Sequence, residues 1–108
     1  MSDLLMTVET LRELIEANRD IIFLDVRNPM AWSTSDIQLQ PSLRIATGLV
    51  DDYLDELDKS STIVAYCTWP KEFSSARAVQ ILRDNGFFDS FALLGGFEKA
   101  VEAGFEVE

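Results

Sequence analysis

One stretch, residues 62–87, decides how the chain folds, and it reads TIVAYCTWPKEFSSARAVQILRDNGF. It opens with a continuous run of apolar or small residues at 62–66, which is typical of a strand buried on both faces. Residues 75–85 then show helical spacing, and Gly86 follows in a position that favours the end of a helix. The stretch therefore predicts a strand, a loop and a helix. The single cysteine of the chain, Cys67, stands where the strand meets the loop.

The same alternation runs along the rest of the chain. Thr7 is a candidate N-cap of a first helix, and the apolar run at residues 21–26 predicts another buried strand. We expect short strands at residues 43–46 and 91–94, and an amphipathic helix at residues 49–57. Because the strands are continuously apolar rather than alternating, the pattern predicts an α/β fold. We expect a parallel sheet of about five short strands with helices on both faces.

Two glycines, Gly95 and Gly96, precede a last predicted helix at residues 97–103. We interpret them as a tight turn that needs positive φ, although they also fit a close approach of the backbone to the active loop. The acidic stretch at residues 51–58 is interpreted as a solvated helix face. The sequence contains no internal repeat and no linker, so residues 1–108 are expected to form one domain.

Composition and charge limit the possible functions. Nineteen acids against nine bases give a net charge of −10, which argues against nucleic acid and anionic membrane surfaces as partners. One cysteine and no histidine exclude an internal disulfide, a cysteine–histidine metal cluster and a histidine-based catalytic triad. No apolar run approaches the roughly 20 residues that span a bilayer, and no secretory signal opens the sequence. We expect a cytoplasmic protein that does not insert directly into membranes.

The position of Cys67 permits cysteine chemistry without a histidine base. Ligands of open parallel sheets bind outside the carboxyl ends of the strands. The helix N-terminus beyond the loop offers unpaired N–H groups and a partial positive charge, so the pKa of a thiol there falls. Ser74 or Ser75 is the expected cap of that helix, and Lys71 adds a local cation. The alternative is that Cys67 is a small buried hydrophobe, and position alone leaves both interpretations open.

Five segments make the chain similar to the rhodanese-like domain family. They are the opening helix from Thr7-Val8-Glu9, then Phe23-Leu24-Asp25-Val26-Arg27 with Trp32, Ile63-Val64-Ala65-Tyr66-Cys67, Ser75-Ala76-Arg77-Ala78 with Gly86-Phe87, and Leu94-Gly95-Gly96-Phe97 closing at Ala103-Gly104-Phe105. The resemblance extends over nearly the whole chain. It lies in the order and spacing of the segments, and it implies a rhodanese-like fold.

The resemblance also implies a function, that of a sulfurtransferase or sulfur carrier. Cys67 would accept a sulfane sulfur as a persulfide from a small donor such as thiosulfate or a persulfide. It would pass the sulfur to a thiol, a protein or another nucleophilic acceptor, without metal or organic cofactor. Asp25 and Arg27 would brace the loop by charge-assisted hydrogen bonds, or they form an ordinary ion pair. The implied substrate-binding loop consists of Thr68, Trp69, Pro70, Lys71, Glu72, Phe73, Ser74 and Ser75.

The loop departs from the common pattern of that family. Seven residues rather than five separate Cys67 from Ser75, and Thr68 replaces the base that usually follows the cysteine. Trp69 stands where a related loop variant has a second cysteine. The positive charge of this loop is too weak to favour thiosulfate, a dianion, as the donor.

Three other functions compete with sulfur transfer. A phosphatase or arsenate reductase of similar fold needs an arginine six positions after the cysteine, where this chain has Phe73. A catalytically weak binding or regulatory module would use the apolar rim of Trp69, Pro70 and Phe73. A redox sensor would oxidise Cys67, but the chain has no resolving cysteine. An exposed Cys67 favours sulfur transfer, whereas a buried one favours the module.

Overall fold

The computed structural model describes residues 4–27, 42–45, 47–67 and 73–105. In these ranges five parallel strands form one sheet in the order β1-β5-β4-β2-β3. Their bounds are β1 Leu5–Met6, β2 Ile21–Asp25, β3 Ser42–Arg44, β4 Thr62–Tyr66 and β5 Ser90–Leu93. The predicted parallel sheet is confirmed. The sequence pattern does not predict β1, because two residues are too few to show an apolar run.

Helices cover the sheet, and their ends follow local sequence signals. They are α1 Val8–Glu16, a 3-10 helix Thr47–Glu56, α2 Phe73–Asp84 and α3 Gly96–Glu102. The predicted N-cap of α1 is confirmed, since Thr7 Oγ1 accepts a hydrogen bond of 3.1 Å from the N–H of Thr10. Gly86 follows α2 with φ 92°, and the N–H of Phe87 donates to the carbonyl of Leu82. Over the described ranges, no helix has the length and apolar character to cross a membrane.

The helix predicted at residues 49–57 is present as a 3-10 helix. Val50 and Leu57 are buried, whereas Tyr53, one of the apolar residues of the predicted helix, is 37% exposed. A 3-10 helix has three residues per turn instead of 3.6, so its buried face differs from the one that α-helical spacing predicts.

Two apolar cores lie on the two faces of the sheet. One core packs α2 and the 3-10 helix against Leu24 and Ala65, and the other packs α1 and α3 against Phe23 and Val64. Successive residues of a strand point to opposite faces, so alternate residues of β2 and β4 belong to different cores. The prediction of helices on both faces of the sheet is therefore confirmed.

The turn into α3 consists of two glycines in backbone conformations that other residues rarely adopt. Gly95 has φ 90° and Gly96 has φ 66°. A Cβ atom on Gly95 would lie 2.6 Å from the Cβ of Lys99, which is closer than such atoms approach in proteins. The interpretation of the pair as a tight turn with positive φ is confirmed.

We expect Gly95→Ala to lower the free energy of unfolding by about 2–4 kcal/mol, because it adds a steric clash to the strain of positive φ. Gly104→Ala is the matched control: Gly104 has φ 88°, but its added Cβ would meet no atom within 4 Å. Strain alone should lower the control by about 1–2 kcal/mol. Urea unfolding of both variants measures the difference. Equal losses would contradict the steric contribution at Gly95.

Candidate active site

The carboxyl ends of three neighbouring strands bring charged side chains and the cysteine to one edge of the sheet. Asp25, the last residue of β2, lies opposite Tyr66 of β4 and Arg44 of β3. Cys67 follows Tyr66 directly, so it is the first residue after β4. The predicted meeting of strand end and cysteine is therefore present in the structure.

Cys67 is buried, with 3% of its surface exposed. Its thiol donates a long hydrogen bond to the hydroxyl of Ser75, with a distance of 3.5 Å from Sγ to Oγ. Its backbone carbonyl accepts a hydrogen bond of 2.9 Å from the N–H of Phe97, the second residue of α3. Helices on opposite faces of the sheet thus hold its side chain and its main chain.

The helix after the cysteine begins earlier than the sequence predicts. α2 starts at Phe73, two residues before the predicted start at Ser75. Ser74 and Ser75 therefore lie inside the first turn, and the prediction that one of them caps the helix is wrong. The chain enters the helix at an aromatic residue, which carries no capping signal. Five residues of the predicted loop lie outside the described ranges, namely Thr68, Trp69, Pro70, Lys71 and Glu72. Trp32, the aromatic residue of the family resemblance, also lies outside them.

Asp25 and Arg27 form a buried ion pair rather than a surface one. Nε of Arg27 lies 3.0 and 3.2 Å from the two carboxylate oxygens, and Nη2 lies 2.8 Å from Oδ2. The backbone N–H of Arg27 donates a further hydrogen bond of 3.1 Å to Oδ1. Asp25 is 0% exposed and Arg27 is 3% exposed. That the pair braces the substrate loop stays a prediction, because residues 68–72 lie outside the described part of the chain.

The guanidinium of Arg27 remains charged in the interior. Burial alone would lower the pKa of Arg27, but the hydrogen bond and the charge of Asp25, with smaller contributions from Tyr66 and Glu98, outweigh burial and raise that pKa above its ordinary value. The guanidinium also lies over two aromatic rings, 4.2 Å from the ring centre of Phe97 and 5.7 Å from that of Tyr66. Such a contact stabilises by about 2 kcal/mol when the cation is desolvated.

Arg44 is a residue of this cluster that sequence reasoning did not predict. Its Nε lies 3.4 Å from Oδ2 of Asp25, so two arginines approach one carboxylate. Its side chain is 28% exposed, unlike the side chain of Arg27. A base at the end of a predicted strand is a signal for such a contact, but only the register between strands shows that it faces Asp25.

The pleat of the sheet separates the thiol from the ion pair. Cys67 belongs with Ala65 to the core under α2, whereas Tyr66 belongs to the core under α1 and α3. Arg27 overlies the ring of Tyr66 and therefore lies on the second face. The hydrogen bond from Phe97 to Cys67 connects the two faces. No sequence signal reveals this contact, because every residue except proline carries a backbone N–H.

A cavity of about 710 Å³ lies far from Cys67, at the other end of β2. Residues of α1, the start of β2 and the segment after α3 line it, among them Arg12, Ile21 and Phe105. Because Ile21 begins β2 and Asp25 ends it, this cavity is at the amino-terminal edge of the sheet. It is therefore not part of the cysteine site.

Cys67 directly follows a central parallel strand and lies beside the first turn of the next helix. This arrangement is typical of α/β domains whose site lies at a strand-to-helix loop. Comparison with known proteins identifies the family. The sequence model of the rhodanese-like domain family matches residues 7–103. The chain belongs to the rhodanese-like domain family, as its sequence predicts.

Individual relatives agree with this assignment. Thiosulfate sulfurtransferase GlpE of Coxiella burnetii is 30% identical over 86 residues, which cover 80% of this chain and 76% of the relative. The probable adenylyltransferase/sulfurtransferase MoeZ of Mycobacterium tuberculosis is 32% identical over 94 residues, which cover 84% of this chain and 23% of MoeZ. The solution structure of the rhodanese-like domain of Alr3790 from Anabaena has a TM-score of 0.78 at 24% identity, covering 97% of this chain and 78% of that one. The structural likeness confirms the fold, and the two distant relatives are named as a sulfurtransferase and a probable adenylyltransferase/sulfurtransferase.

We expect Asp25→Asn to lower the free energy of unfolding by about 3–5 kcal/mol, because it leaves the charge of Arg27 buried without its carboxylate. Arg19→Gln is the control, since Arg19 pairs with Asp89 at 3.3 Å while 53% exposed. An exposed pair of this kind contributes about 1 kcal/mol or less. Urea unfolding followed by circular dichroism compares the two variants. A small loss in both would contradict a structural role for the buried pair.

Proposed function

We propose that the protein is a sulfurtransferase or sulfur carrier that forms a persulfide on Cys67. The observation that carries the proposal is the place of Cys67, between the end of β4 and the first turn of α2, in a chain of the rhodanese-like domain family. The first turn of a helix presents N–H groups without partners inside the helix, and these stabilise a thiolate or a persulfide anion. We propose residues 68–75 as the segment that binds the sulfur substrate.

The proposed reaction consists of two displacements at sulfur. The thiolate of Cys67 attacks the outer sulfur of the donor and forms a new S–S bond. The S–S bond of the donor breaks, and its electron pair leaves with the rest of the donor, which is sulfite in the case of thiosulfate. A nucleophilic acceptor, either a thiolate or cyanide, then attacks the outer sulfur of the persulfide, and Cys67 leaves as a thiolate. The cysteine carries the sulfur itself, so the reaction needs no metal or organic cofactor.

The donor and the acceptor belong to this proposal as well. Thiosulfate is the first donor to test because GlpE is named for it. Glutathione persulfide is the second, because the charges of Lys71 and Glu72 cancel and the loop has no net positive charge to attract a compact dianion. We propose a thiol or a protein as the acceptor. We further propose that residues 1–108 act as one domain and that the protein works in the cytoplasm.

We expect the reduced protein to gain the mass of one sulfur atom after brief exposure to one of these donors, and cyanide to remove it. Cys67→Ser should abolish both the adduct and the catalysed transfer, because a hydroxyl does not form a persulfide. Intact mass spectrometry measures the adduct, and thiocyanate formation measures the transfer. Circular dichroism of Cys67→Ser is the control for an unchanged fold. Equal transfer by this variant would remove the proposal.

A binding or regulatory module with little turnover is the second candidate, and the 3% exposure of Cys67 favours it. A donor must reach Sγ along the line of the breaking S–S bond, which a covered thiol hinders. The alkylation rate of Cys67 by iodoacetamide in the native protein, relative to the rate in urea, distinguishes the candidates. Rapid alkylation supports transfer. Slow alkylation without an adduct from thiosulfate, mercaptopyruvate or glutathione persulfide supports the module.

We expect no hydrolysis of aryl phosphates that depends on Cys67. The residue six positions after Cys67 is Phe73 rather than arginine, and Arg77 lies one turn further along α2 with its side chain exposed. The charge that develops on a transferred phosphoryl group would therefore lack its clamp. Turnover of p-nitrophenyl phosphate by the wild type, set against Cys67→Ser, checks this. Turnover that disappears in the variant would show that the enzyme is a phosphatase.

A further inference from the structure

Two successive hydrogen bonds fix the main chain around Cys67. The carbonyl of Tyr66 accepts a hydrogen bond of 3.0 Å from the N–H of Val26, which continues the ladder between β4 and β2. The next carbonyl, that of Cys67, accepts from Phe97 in α3 instead. Cys67 is thus the residue at which the chain passes from the sheet to the helical layer. A shift of Phe97 would turn the peptide of Cys67 and move Sγ with it.

The ring of Phe97 is held on the side that faces the sheet. Its centre lies 4.2 Å from the guanidinium carbon of Arg27. The ring also stacks on that of Tyr66, with centres 5.7 Å apart and an angle of 24° between the planes. Phe97 is 7% exposed, so it has little room to move. Because Asp25 holds Arg27, the start of α3 is connected to the end of β2.

We propose that Phe97 is a positioning residue for Cys67. The buried pair of Asp25 and Arg27 holds the ring of Phe97, and the N–H of Phe97 holds the carbonyl of Cys67. Through these contacts the ion pair influences the position of the thiol, although the two lie on opposite faces of the sheet. The kinetic consequence of the inference rests on the proposed sulfur transfer, whereas its geometric part rests on these contacts alone.

Phe97→Leu is the central test, because it removes the ring and keeps the backbone N–H. We expect the rate constant of sulfur transfer to fall about tenfold, since a displacement of about 1 Å at a reacting group costs up to about 100-fold. We expect alkylation of Cys67 in the native protein to become faster, because the residue is held less firmly. Loss of stability alone would leave the transfer rate of the folded fraction unchanged.

Phe91→Leu is the matched control. Phe91 also lies under an arginine, with the guanidinium carbon of Arg83 5.1 Å from its ring centre. It stands in β5, where its strand partner is Val64, and it is not part of the contact path to the Cys67 carbonyl. We expect this variant to lose stability while both the transfer rate and the alkylation rate of the folded protein stay unchanged.

Two further variants separate positioning from packing. Phe97→Tyr keeps an aromatic face under Arg27, so its transfer and alkylation rates should equal those of the wild type. Arg27→Lys keeps the charge beside Asp25 but loses the planar group that stacks on the ring. It should therefore slow transfer and speed alkylation as Phe97→Leu does. Arg27→Lys also decides the question if Phe97→Leu does not fold.

Equal effects of Phe97→Leu and Phe91→Leu on both rates would overturn the inference, as would unchanged rates in Phe97→Leu. Failure of the proposed function gives a different result. If the wild type takes up sulfur from none of the donors, the proposed sulfur transfer is wrong. The alkylation rates of the same variants then still decide whether Phe97 positions Cys67.

Discussion

The carboxyl edge of the sheet depends on the joint burial of one carboxylate and one guanidinium. Removing either charge from water costs several kcal/mol, so Asp25 and Arg27 are stable there only as a pair with both carboxylate oxygens hydrogen-bonded. Their pairing has geometrical consequences for the neighbouring elements. Arg44 of β3 approaches the same carboxylate, and Phe97 of α3 packs against the guanidinium. An electrostatic requirement thereby fixes the relative positions of two strands and a helix.

Most of the fold could be predicted because its elements carry strong local patterns. β4 and β2 are continuous apolar runs, and α1 has a threonine cap that the structure confirms. β1 could not be predicted, because its two residues become a strand only by pairing with β5. The 3-10 type of the helix at Thr47–Glu56 also could not be predicted, because a few apolar residues at helical spacing do not distinguish a 3-10 helix from an α-helix.

The candidate site divides in the same way. The location of Cys67 after a strand could be read from the sequence, and so could the proximity of Asp25 and Arg27, which are two residues apart. The contact of Arg44 with Asp25 depends on the register between strands. The contact of Phe97 with Cys67 is made by a backbone group that leaves no trace in the sequence. The burial of Cys67 likewise follows from how α2 packs on the sheet, which local spacing does not determine.

The order of the strands also has a consequence for how the protein is made. β1 pairs with β5, so that Leu5 lies opposite Ala92, although the two strands are far apart in sequence. Such distant pairs form slowly, because the entropy of closing the loop is lost before the contacts form. β2 and β4 are neighbours in the sheet, and both precede β5 in sequence. β2 carries Asp25, and β4 leads into Cys67. We expect β2 and β4 to pair early in folding, and β1 to join β5 at the side of the sheet last.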